Sequence, residues 1–161
     1  MWHLSIITNY STGEVLSKGK VMISVAIVLI IGFSYFKGMG IYSAKKEVEV
    51  GVKKGALMMC SDKPNCVSTT NTDEKHLVKP IDTILTLDEI NTKLEDFGLN
   101  LIKTDGNYSH FTSTSKIMGY VDDIEIMLNG DQLSVRSASR VGYSDMGANR
   151  KRVEKIREFL N

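Results

Sequence analysis

One stretch of the chain stands apart from all others in its pattern of apolar and polar positions. Residues 21–36, VMISVAIVLIIGFSYF, carry no charge, with Lys18 and Lys20 before them and Lys37 after. As a helix this run spans about 24 Å, short of the ~30 Å hydrocarbon core of a bilayer. Lysines reaching toward the headgroups along their apolar stems would close that gap. A buried helix of a soluble domain would show a polar face, and this run has none. It therefore predicts a transmembrane segment over 21–42, an anchor or uncleaved signal, with a short N-terminal piece at 1–20. A cleaved signal peptide is the nearest competitor; the closest small pair, Ser43-Ala44, has Ile41 and Tyr42 where a small residue is wanted. Met22 is an alternative start.

Beyond the anchor the patterning changes character twice. Residues 43–54 mix glycine with alternating charge and read as a spacer, and 60–79 is polar and loop-like up to Pro80. Leu87, Ile90, Leu94 and Phe97 recur at three- and four-residue intervals, predicting a helix capped by Thr86 or Asp88 and stopped at Gly98. Period-two alternation then predicts strands at 99–104, 108–115, 119–128 and 132–140, joined by tight turns at Asp105-Gly106 and Asn129-Gly130. A final helix, capped by Ser144 or Asp145, runs to Leu160 with Met146, Val153, Ile156 and Leu160 as its apolar stripe. The order implies an α+β fold: a four-stranded antiparallel meander sheet with helices packed on one face, occupying 55–161 and preceded by one transmembrane helix.

Composition narrows the function classes. With 161 residues the chain has room for one ordinary domain and an appendage. Twenty basic against 19 acidic residues, a net +1, give no global field to recruit nucleic acid. Lysines flank the apolar run on both sides, so charge does not set its direction. The two cysteines, Cys60 and Cys66, enclose Ser61-Asp62-Lys63-Pro64-Asn65, a turn that can bring two sulfurs together. A disulfide between them implies an oxidising compartment, with the domain on the extracytoplasmic side of the membrane; a pair of reduced thiols is the alternative. No metal set is expected, since only His76 stands near the cysteines.

The third and fourth strands carry the candidate chemistry. Alternation places Ile124, Ile126, Leu128, Leu133 and Val135 on the face toward the helices. Asp123, Glu125, Gln132, Ser134, Arg136 and Arg140 fall on the other. These charges make either a solvated face of weak ion pairs or a polar recognition site, for which the planar fork of arginine suits carboxylate or phosphate. Asp122 falls by parity on the apolar side and needs a partner there; Ser137, Ser139 or backbone amides are the expected ones. Asp145, Gly147 and Asn149 would cap the last helix or expose its amides to an anion. The binding candidates are thus Asp122, Asp123, Glu125, Arg136, Ser139, Arg140, Asp145, Asn149 and Arg150. His76 and His110 are weaker candidates, expected to be exposed. No nucleophile elbow and no phosphate-cradling glycine loop occurs, so no cofactor is expected.

Three segments resemble a known family: Cys60 with PNCVS at 64–68, GYVDDIE at 119–125, and VRSASRVGYSD at 135–145 followed by Gly147 and NRKRVE at 149–154. Together they resemble domain-of-unknown-function family 1499 (DUF1499) over essentially the whole of 55–160. Ser61 stands where a proline is expected and Thr69 where a serine is. The resemblance implies an envelope-associated domain behind a signal sequence, lipid anchor or membrane segment, and transfers no catalytic residues. The leading expectation is a membrane-anchored domain that binds a small anionic or polar ligand, or an envelope partner protein, through the Asp/Glu/Arg face. The alternatives are a hydrolase-type enzyme with Asp123 or Glu125 as acid/base and Arg136 stabilising charge, and a purely structural module.

Overall fold

The computed structural model describes residues 12–161, with side chains described from Lys18 onward; positions 1–11 of the short N-terminal piece lie outside the described residues. Two compact units are present, one up to Gly38 and one from Met39 to Asn161.

The first helix, α1 (Thr12–Lys45), contains the apolar run. Among the described residues it is the one helix long and apolar enough to cross a membrane, and no part of its apolar window is buried, as a core helix would be. Its last two turns, from Met39, belong to the second unit. There Ser43 Oγ accepts a hydrogen bond from the Val121 amide, and Gly40 approaches Met118 so closely that a Cβ would overlap the Met118 carbonyl. Residues 43–54, which their composition assigns to a spacer, thus begin in direct contact with the folded domain.

A hairpin of two short strands follows, β1 (Val52–Lys53) and β2 (Ala56–Leu57), then β3 (Cys66–Ser68), β4 (Ile81–Asp82) and α2 (Leu87–Asp96). The capping box of α2 is complete: Thr86 Oγ1 accepts from the Glu89 amide while the Glu89 carboxylate accepts from the Thr86 amide. Strands β5 (Asn100–Asp105), β6 (Tyr108–Thr114), β7 (Val121–Asn129) and β8 (Gln132–Ser139) form the predicted meander, and α3 (Ala148–Leu160) ends the chain.

The sheet has six strands rather than four, in the order β3-β8-β7-β6-β5, with β4 also pairing β8. Both added strands come from the stretch that patterning assigns to loop and its edge. They are two or three residues long, too short to show a period, and β8 holds them because its outer edge would otherwise expose unpaired backbone groups. The last turn is Gly130-Asp131, with Asn129 opposite Gln132. This is two residues of register from the expected pairing, so every side chain keeps its predicted face.

One core fills the inner face. Ile90 and Leu94 of α2 and Val153, Ile156 and Leu160 of α3 join Phe111, Ile124, Ile126, Leu133 and Val135 in a single buried cluster. Helix α3 starts later than predicted: Ala148 is its first residue and Gly147 its N-cap. Met146 is excluded from the apolar stripe, being 92% exposed at a φ of 54°. Asp145 nonetheless serves the helix start, accepting from the Gly147 and Asn149 amides at 2.9 and 2.7 Å. The outer face is covered too. Leu57 of β2 packs with Tyr108 and Met127 in a second buried cluster, and Cys60 and Cys66 are joined by a disulfide at the edge of this cover.

Candidate functional site

The charges of the outer face are buried. Asp123 is 2% exposed and Glu125 is fully inaccessible, so the expectation of a solvated face gives way to a paired interior. The cause is the chain ahead of the sheet: the Gly51 amide donates to Glu125 Oε1 of β7 at 2.5 Å, Leu57 packs on Tyr108 and Met127, and Met58 accepts from Ser68 Oγ of β3, laying residues 51–58 over the outer face.

Each carboxylate is held from several sides. Arg140 grips Asp123 with two parallel bonds, Nε to Oδ2 at 2.9 Å and Nη2 to Oδ1 at 2.8 Å. His110, two places along β6 from Tyr108, puts Nε2 2.8 Å from the same Oδ1. Burial alone would raise the Asp123 pKa, but the hydrogen bonds from His110 and Arg140 and the arginine charge outweigh it and hold the carboxyl below its ordinary value. Correspondingly, the bond to Asp123 holds the Arg140 guanidinium above its own. Glu125, directly opposite Arg136 in the ladder, accepts from Arg136 Nη1 at 2.5 Å and from the Tyr108 hydroxyl at 3.0 Å. Burial, and then the Glu125 charge, push the Tyr108 phenol far above its ordinary pKa, which keeps it a donor.

Asp122 does find a partner on the inner side, and it is Arg152, not a serine or a backbone amide. Arg152 Nη2 lies 2.6 Å from Asp122 Oδ2. Its other terminal nitrogen donates to Ser137 Oγ and Asn149 Oδ1, while Asn149 Nδ2 reaches the Asn65 carbonyl and Ser139 Oγ. This network ties α3 to β8 and to the loop before β3. Helical spacing carries a signal for it: Asn149 stands four residues before Val153 and Arg152 four before Ile156, both core positions of the helix.

Arg150 goes elsewhere, donating to the carbonyls of Glu74, Lys75 and Leu77. Asp145 stays in its capping turn. Of the nine candidates, Asp123, Glu125, Arg136 and Arg140 converge on the outer face, and Asp122, Ser139 and Asn149 meet in the inner network. Both weaker histidines are buried rather than exposed; His76 sits between Asp73, at 2.7 Å, and the Lys63 carbonyl. No group of three or more His, Cys, Asp or Glu that could hold a metal is present among the described residues.

An open cleft of about 530 Å³ lies over the end of β8. Its floor is Asp123, Arg136, Ala138, Ser139 and Arg140; its walls are Met39, Tyr42 and residues 46–50 on one side and Met58, Met59, Ser61 and Lys63 on the other. Among the described residues, Arg136 has only its Nη1 engaged, to Glu125. Its Nε is buried without a hydrogen-bond partner.

Residues 56–160 match the model of a family described as a protein of unknown function, DUF1499. The chain belongs to this family. No curated protein and no solved structure matches the chain. The DUF1499 span takes in all four converging charges, the disulfide, the inner network and both packed helices. Gly51, which closes over Glu125, and Lys46, which walls the cleft, precede it.

Proposed function

We propose that this DUF1499 domain is a non-catalytic binding module, anchored by residues 21–36 on the extracytoplasmic side of a membrane, whose cleft takes a small polar ligand bearing a carboxylate or phosphate. The observation that carries the reading is Arg136: a guanidinium on the cleft floor whose Nε is buried and unpartnered, next to Arg140. A guanidinium with a donor left unsatisfied beside a concave, partly apolar site suits recognition of an oxyanion. The disulfide supports an oxidising compartment, and the unburied apolar helix supports the anchor.

Acid/base catalysis is the weaker reading. Both oxygens of Asp123 are occupied by donors, and Glu125 has no contact with solvent. A general acid or base must reach its substrate and exchange its proton near the working pH. A purely structural role would account for the internal pairing but not for the unsatisfied Nε of Arg136.

Titration of the detergent-solubilised full chain with inorganic phosphate and with succinate separates these readings. Binding of either anion by wild type, abolished in Ala138→Phe, which puts bulk into the cleft between Arg136 and Arg140, is the expected result. Absence of binding, together with no co-purifying small molecule by native mass spectrometry, would overturn the proposal.

A further inference from the structure

The end of the sheet where β6 and β8 finish and β7 begins collects exposed apolar side chains from three separate segments. Ile41 and Tyr42 lie on the last two turns of α1, Ile117 on the turn between β6 and β7, and Tyr143 and Met146 on the loop between β8 and α3. Tyr143 is 72% exposed and Met146 is 92% exposed. The contacts of Gly40 with Met118 and of Ser43 with Val121 hold the α1 turn at this same end. Met146 is fixed outward in a left-handed backbone conformation that a side chain rarely adopts. Hydrogen bonds from its own amide to Ser144 Oγ and from the Gly147 amide to Asp145 brace it there.

We infer that this end is a docking surface for the phospholipid bilayer, with Tyr143 and Met146 entering the interfacial layer. Continuity of the chain supplies the reason: Met39 follows Phe36, the last residue of the apolar run, by three positions. Tyrosine is favoured at the membrane–water interface, where an apolar ring and a polar hydroxyl are both satisfied. Lys45, Lys46 and Lys116, exposed at this end, add attraction for anionic headgroups, opposed there by Glu47. The cleft, walled by Met39 and Tyr42, then opens beside the lipid surface. The inference rests on the anchored reading of residues 21–36 and is independent of which anion the cleft takes.

Depth-dependent tryptophan quenching tests it. The full chain, with its single tryptophan removed by Trp2→Phe, is reconstituted into vesicles of phosphatidylcholine and phosphatidylglycerol in equal parts, with and without brominated acyl chains. Single tryptophans are introduced in turn as Ile31→Trp, Tyr143→Trp, Met146→Trp and Ile84→Trp. Ile84 is fully exposed at the opposite end, beside the β7–β8 turn, and is the control. Quenching of about twofold at 31, 143 and 146, with a blue-shifted emission at 143 and 146 and none at 84, is expected of groups in the apolar and interfacial layers. Quenching at 31 alone overturns the docking surface and leaves the anchor standing. Equal quenching at 84 and 146 also overturns it. No quenching at 31 removes the anchor and the docking surface with it.

Discussion

At the scale of single residues, the outer-face carboxylates show how burial changes what a charge does. An exposed ion pair contributes little, whereas removing one member of a buried pair leaves an uncompensated charge and costs about 3–5 kcal/mol. Asp123→Asn leaves Arg140 without its anion, and an expected loss of about 3 kcal/mol at neutral pH follows, measured by chemical denaturation. The pH dependence has a definite sign. A carboxyl held below its unfolded value contributes stability that is fully present above about pH 4 and fades as pH falls through the folded value. Wild type should therefore lose stability below about pH 4 more steeply than Asp123→Asn; parallel acid limbs would show that Asp123 is not held ionised. Alternation alone put Asp123 and Glu125 on the correct face. That the face is buried depends on Gly51, in the stretch whose composition suggests a spacer, and on Leu57 just after it, both remote in sequence.

Among the elements, α2 and α3 differ in how they are held. Helix α2 carries its own start signal, Thr86 with Glu89, and its apolar spacing runs straight into the core. Helix α3 has a left-handed glycine at its N-cap with no capping side chain of its own, and leans on Asp145 from outside and on the Arg152 network from within. Removing each support should show the difference: Thr86→Ala is expected to cost about 1 kcal/mol, the ordinary value of a cap. Arg152→Met leaves Asp122 half-buried and unpaired and is expected to cost about 3 kcal/mol. Equal losses in a urea melt would mean that the Asp122 pair is no more than a surface contact. The late start of α3 was hidden in the sequence because Ser144, Asp145 and Met146 have the composition of a first turn. Only the folded loop shows Asp145 reaching past Met146 to amides further on.

The whole molecule joins an apolar helix to a domain whose sheet is covered on both faces. The disulfide ties the covering segment to β3, closing a loop of about seven residues, for which the chain-entropy relation gives about 2 kcal/mol. Replacing both cysteines, Cys60→Ser with Cys66→Ser, should lower stability by about that amount, and in the wild-type protein alkylation without reductant should label neither sulfur. Labelling of both would mean that the sulfurs are reduced and that the domain does not face an oxidising compartment. The sequence by itself determined whatever is periodic or local: the apolar run, the α2 cap, the four meander strands, the face of every residue on β7 and β8, and the turn between the cysteines. Hydrophobic spacing and turn chemistry act over a few residues and are written where they act. Tertiary structure alone decided the two short strands on the β8 edge, the cover over the outer face, the partners of Asp122 and Arg150, and the burial of His76 and His110. Each of these depends on groups brought together from distant positions, whose meeting is fixed by the packing of the whole domain and not by any spacing along the chain.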